Sequence, residues 1–114
     1  MPSMPESDSA ARIILTTTAS LDEARRLGKT LVEEHLVACA TLVPAVESIY
    51  RWQGQIEASS EVLLILKTEA DQLAALQTRL HQIHSYQTPE VLVLAVKSGS
   101  PAYLQWLHES LREG

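Results

Sequence analysis

Cys39 is the softest ligand in the 114-residue chain. Its thiolate would favour Cu(I) or zinc, and the imidazole of His35 stands four positions earlier. Metal sites of this chemistry take about three or four donors, so one cysteine needs histidines or further copies of the chain beside it. A cysteine packed as a small hydrophobe needs neither. His81 and His84, three residues apart, form a second candidate metal pair, because that spacing puts two side chains on one helix face. The structural alternative for both is a solvated or capping imidazole at a helix C-terminus, and His108 reads as a surface residue.

Glu61, Lys67 and Glu90 flank apolar runs, where an unpaired buried charge would be costly. They either pair or line a pocket. With the rings of Tyr50, Trp52 and Tyr86 they would form a polar cleft between subunits, able to take a small anionic ligand near Lys67, Glu90 and Tyr86. Tyr50, Trp52 and Trp106 equally suit a subunit interface, where Tyr and Trp are enriched. No glycine-rich phosphate loop, G-x-S-x-G, H-E-x-x-H or paired cysteines occur, so no organic cofactor is implied. An acid or base role for His84 then rests on fold analogy alone.

The elements that must position these residues follow from periodicity. Residues 1 to 10 are rich in Pro, Ser and acid and are expected to be a disordered tail, leaving 11 to 114 as a single domain whose fold begins near Arg12. RIILTTT, residues 12 to 18, reads as a strand, and Ser20 with Glu23 has capping-box spacing for the helix that follows. In that helix Ala24, Leu27, Gly28, Leu31, Val32 and Leu36 make an apolar stripe, with Glu23, Arg26, Lys29, Glu33 and Glu34 on other faces. A second strand from Val37 is kinked at Pro44, turns at Gln53 and Gly54, and returns as EVLLILKT, residues 61 to 68, giving a long hairpin. Thr68 and Asp71 again have capping-box spacing, before a stripe of Leu73, Leu76, Leu80 and Ile83. Residues 90 to 97 predict a fourth strand, and Ser100 followed by Pro101 starts a last helix.

The order β-α-β-β-α-β plus a C-terminal helix is that of an α+β, ferredoxin-like antiparallel sheet with both main helices on one face. The fourth strand would be an edge, yet Val91 to Val96 contain no charge or proline to discourage pairing, so a neighbouring subunit or the last helix is expected to cover it. Nine Lys and Arg against 14 Asp and Glu leave a net charge of −5, which argues against a nucleic-acid partner. No apolar run approaches the ~18 residues of a membrane span. Without a signal-like N-terminal segment, and with one cysteine, the expected compartment is the cytoplasm.

The five aromatic residues lie in three stretches: ACATLVPAVESIYRWQGQIEASSEVLLILKT at 38 to 68, HSYQTPE at 84 to 90, and SPAYLQWL at 100 to 107. Together these closely resemble the CutA family of divalent-cation tolerance proteins, whose pattern includes S-x-Y-x-W-x-G-x-I-E, E-x-x-L-x-x-K-T, H-P-Y-x-x-P-E and Y-L-x-W. The resemblance spans Ile13 to Leu111. It implies a ferredoxin-like subunit in a compact homotrimer, a link to tolerance of divalent metals, copper binding in some members through a residue such as Cys39, and no established catalytic activity. Three positions depart from the pattern: Ser85 replaces a usual proline, Thr41 a common asparagine, and Ala45 a common glycine.

Overall fold

The computed structural model describes residues 9–113. Its element order is β1 (Ala11–Thr18), α1 (Leu21–Glu33), β2 (Cys39–Trp52), β3 (Gln55–Glu69), α2 (Leu73–Ile83), β4 (Leu92–Ala95) and α3 (Pro101–Ser110). The four strands form one antiparallel sheet in the order β2-β3-β1-β4, as the ferredoxin-like reading requires. Ile14, Val62, Leu64 and Leu66 on one sheet face pack against Ala24, Leu27 and Leu31 of α1 and Leu76 and Leu80 of α2. Removing this many large apolar side chains from water is what holds the two layers together.

Ser20 caps α1 by accepting a hydrogen bond from the Glu23 backbone N–H at 3.1 Å. The helix ends where His35 takes a positive φ of 60° and the N–H groups of Leu36 and Val37 turn back to the Leu31 carbonyl. A left-handed residue closing a helix is normally Gly or Asn, so His35 serves as a helix stop. At the hairpin tip Gln53 and Gly54 both have positive φ, 50° and 79°, between the paired Trp52 and Gln55. That is the two-residue turn whose twist matches antiparallel strands. Pro44 and Ala45 together oppose the single residue Val62 at a bulge, so the missing proline N–H costs no ladder bond.

Three expectations are corrected. Thr68 does not cap α2; it continues β3 opposite Arg12, fully buried, and its hydroxyl donates to the Leu36 carbonyl at 2.7 Å. A single 3-10 turn, Ala70–Gln72, then precedes α2. Glu23, expected on a face away from the apolar stripe, is only 5% exposed. The last helix does not cover β4: Leu107 and Leu111 pack on Ala11 at the start of β1, with Ala38, Val96 and Leu104 alongside, while Leu92 and Leu94 remain 54% and 47% exposed. Glu69 anchors this end of the chain: its nearly buried carboxylate lies 2.9 Å from His108 Nδ1 and forms an ion pair with Arg112 just past α3, also at 2.9 Å.

Of the expected disordered tail, residues 1 to 8 lie outside the described residues. Ser9 and Ala10 belong to the fold: the Ser9 hydroxyl donates to the Val96 carbonyl at 2.6 Å, and the Ala10 carbonyl accepts from the Ala70 N–H at 2.9 Å. Among the described residues no helix is long and apolar enough to cross a membrane.

Candidate functional site

The two-residue turn fixes the pairing of the hairpin arm, setting Tyr50 opposite Glu57, Ser48 opposite Ser59 and Val46 opposite Glu61. Directly paired residues point to the same side of a sheet. Tyr50, Trp52, Glu57, Ser59 and Glu61 therefore share one face of the arm and line a cleft of about 420 Å³, closed on its other side by Tyr86 and Thr88 from the loop after α2. The tyrosine hydroxyl of Tyr86 donates to Glu61 Oε2 at 2.9 Å and bridges the two walls.

Buried groups hold the Tyr86 wall in place. The Tyr86 backbone N–H donates to His84 Nδ1 at 3.0 Å, and His84 Nε2 lies 2.8 Å from the Thr17 carbonyl. An amide can only donate and a carbonyl only accept, so His84 is the neutral tautomer with its proton on Nε2, and both ring nitrogens are engaged. One residue on, the Ser85 backbone N–H donates to Glu23 Oε2 at 2.9 Å. Burial pushes the Glu23 carboxyl up, but the opposing interactions together, its hydrogen bonds with Ser85 foremost, outweigh this and hold it below its ordinary value. Burial, followed by the hydrogen bond to Glu61 and that carboxylate's charge, pushes the Tyr86 phenol up to about 12, so it remains a neutral donor.

Four of the six residues expected in a cleft are thus brought together: Tyr50, Trp52, Glu61 and Tyr86. Lys67 is not among them, because it lies six residues further along β3, roughly 20 Å from Glu61 by strand rise. There it pairs with Cys39, its Nζ 3.4 Å from Thr41 Oγ1 and 6.0 Å from the centre of the Tyr103 ring. Glu90 is exposed, two residues before β4, and does not line the cleft. Trp106 packs against Tyr103 on α3, with ring centres 5.5 Å apart and planes tilted by 38°, away from the hairpin.

The metal candidates are dispersed. Cys39 is half-buried at the start of β2, its sulfur 3.7 Å from Thr41 Oγ1. His81 is exposed, its Nδ1 2.7 Å from the Gln77 carbonyl, whereas His84 is turned inward onto Thr17. Among the described residues no three His, Cys, Asp or Glu side chains converge as a metal site.

Sequence reading missed Glu23, Glu57, Ser59 and Thr88. The signal for Glu57 and Ser59 was present in the Gln53-Gly54 turn, which dictates what faces Tyr50 and Ser48. Glu23 was hidden because a first-turn glutamate ordinarily reads as a cap or a solvated charge.

Residues 12–110 match the family model of the CutA1 divalent ion tolerance protein. The divalent-cation tolerance protein CutA of Pectobacterium atrosepticum is 45% identical over 102 residues, covering 90% of this chain and 93% of that protein. Its counterpart from Thermus thermophilus is 41% identical over 98 residues, covering 86% and 95%. The crystal structure of CutA1 from Oryza sativa superposes with a TM-score of 0.88 at 36% identity, covering 94% of this chain and 98% of that one. For CutA from Xylella fastidiosa the TM-score is 0.87 at 39% identity, with 90% and 99% covered. By sequence and by fold, the chain belongs to the CutA1 family of divalent ion tolerance proteins.

Proposed function

We propose that the chain acts in divalent-cation tolerance as a non-catalytic cytoplasmic homotrimer, with Cys39 as the residue through which copper, or another divalent cation, is held. The observation that carries this reading is the sheet face away from α1 and α2. On it Ile13 pairs with Leu94, and Leu15 with both Leu92 and Ile65, while Cys39 and Thr41 lie on the same side opposite Lys67 and Ile65. The C-terminal helix α3 covers only one end of this face, at Ala11 and Val96, and leaves Leu92 and Leu94 54% and 47% exposed; a self-complementary assembly would remove the remainder from water. Assembly would also supply what one chain lacks, further thiolates or other donors beside Cys39. The names of the relatives, divalent-cation tolerance proteins, support the same reading.

The alternative, a sensor holding an anion at Lys67 beside Tyr86 and Glu90, has no support from a cleft that Lys67 does not line. Light scattering combined with Cu(I) titration under reducing conditions tests the proposal. The expected result is a trimer that loses tight Cu(I) binding in Cys39→Ser and remains a trimer. A stable monomer at micromolar concentration, or unchanged copper affinity in the variant, overturns it.

A further inference from the structure

We propose that the cleft between the hairpin arm and the loop carrying Tyr86 binds a small organic ammonium ion. Among the described residues the only charged ones lining it are Glu57 and Glu61, and the rest of its wall is three aromatic rings, Tyr50, Trp52 and Tyr86, with the hydroxyls of Ser59 and Thr88. Ring faces carry negative potential and attract an organic cation, and adjacent carboxylates supply the countercharge. An anion would meet two carboxylates with no lining cation among the described residues to offset them. A neutral apolar guest would strip water from both carboxylates without pairing either.

A bare metal ion fits poorly for a separate reason. Glu61 already spends one oxygen on the Tyr86 hydroxyl, aromatic faces are not donors for a hard divalent ion, and no third metal-ligating side chain among the described residues converges there. The volume of about 420 Å³ is that of a small-molecule pocket rather than an ion site. The wall is also built before any ligand arrives, because His84 and Glu23 fix the Tyr86 segment from below through its own backbone N–H groups. This site lies on the opposite side of the Pro44 bulge from Cys39, so the inference does not depend on copper binding.

The test uses the full chain in its native assembly with Trp106→Phe, which leaves Trp52 as the sole indole reporter. Choline chloride, its uncharged carbon isostere dimethylbutanol, sodium acetate and zinc chloride are titrated separately at constant ionic strength. The expected result is a saturable change in Trp52 fluorescence with choline alone. Glu61→Gln and Glu57→Gln should each weaken it about tenfold or more, while Cys39→Ser leaves it unchanged. Tyr86→Phe, which keeps the ring, should bind within about threefold of the parent, and Tyr86→Leu should lose about tenfold. Equal response to choline and its isostere overturns the proposal, as does preferential response to acetate or zinc. Absence of any response to choline in a protein whose thermal melt is intact also overturns it, and would mean that subunit contacts fill the cleft.

Discussion

The Ser85 backbone nitrogen sits 2.9 Å from the carboxylate of Glu23, joining the loop under the cleft to the first turn of α1. The CutA pattern places proline at this position, and proline has no N–H to give. His84, with φ −77° and ψ 140°, already holds the backbone conformation that a following proline demands. Ser85→Pro therefore removes the backbone donor to a buried carboxylate together with the side-chain hydroxyl that also bonds it, whereas Ser85→Ala removes only the hydroxyl. The proline variant should lower stability by about 1 kcal/mol after the stiffening gain of proline is subtracted, and Ser85→Ala, which keeps the N–H, should cost less. Denaturant midpoints of the two variants provide the check, and a Ser85→Pro protein as stable as its parent would refute the assigned role.

The same carboxylate gives the fold a defined acid sensitivity. Glu23 is held below its ordinary value near 4.5, so its contribution is complete above that value and disappears as pH falls through the lower folded-state value. The stability difference between wild type and Glu23→Gln should be constant near neutrality and shrink as pH drops below about 4.5. Thermal melts from pH 7 to pH 3 measure it, and a difference that does not change with pH would mean that the charge of Glu23 is immaterial.

Tyr86 has the opposite sign. Its phenol is raised to about 12, so the neutral, Glu61-bonded form is favoured in the folded state. The associated stability is intact below the ordinary tyrosine range near 10 and is lost as pH rises from there toward 12. Subtracting the phenolate absorbance titration of Tyr86→Phe from that of wild type should reveal one tyrosine still protonated at pH 11. A difference curve with its midpoint near 10 would place Tyr86 in ordinary solvent.

Much of this architecture was legible in the residues themselves, for identifiable reasons. Ser20 as a cap, Pro44 as a bulge and Gln53-Gly54 as a turn each depend on a local backbone property that no tertiary contact had to override. Thr68 misled because the same hydroxyl that can cap a helix also satisfies a buried carbonyl, and Leu36, which supplies that carbonyl, is distant in sequence. At the site, Tyr50, Trp52, Glu61 and Tyr86 stood out by residue type, whereas grouping Lys67 with them ignored the length of strand between positions 61 and 67. The role of His84 was not readable at all, since its partners are backbone groups of Thr17 and Tyr86.

The open sheet face makes a prediction that avoids damaging the subunit. Leu94 pairs with Ile13 on that face and is 47% exposed in one chain, so a polar side chain is tolerated there as long as the chain is alone. In an assembly that buries the face, Leu94→Glu would leave a charge without a partner, which costs several kcal/mol. The dissociation constant of the assembly should rise about a hundredfold or more while far-ultraviolet circular dichroism is preserved. Sedimentation across a concentration series provides the measurement, and an unaltered trimer would show that the interface lies elsewhere.

Two threonines on neighbouring strands give the same substitution opposite signs. Thr16 and Thr68 are both fully buried, but Thr16 Oγ1 has no hydrogen-bond partner among the described residues, while Thr68 Oγ1 donates to the Leu36 carbonyl at 2.7 Å. Valine replaces the hydroxyl with a methyl of similar shape and equal β-branching, so strand propensity is nearly constant and the polar group decides the outcome. At position 16 the change removes a desolvated hydroxyl that nothing offsets, and stability should rise by about 1 kcal/mol. At position 68 it leaves the Leu36 carbonyl unpaired at the point where the chain passes from α1 into β2, and stability should fall by about 1 to 3 kcal/mol. Because unfolding is coupled to dissociation in an oligomer, the melts must be compared at one protein concentration. Shifts of the same sign would show that volume, rather than hydrogen bonding, controls this layer of the core.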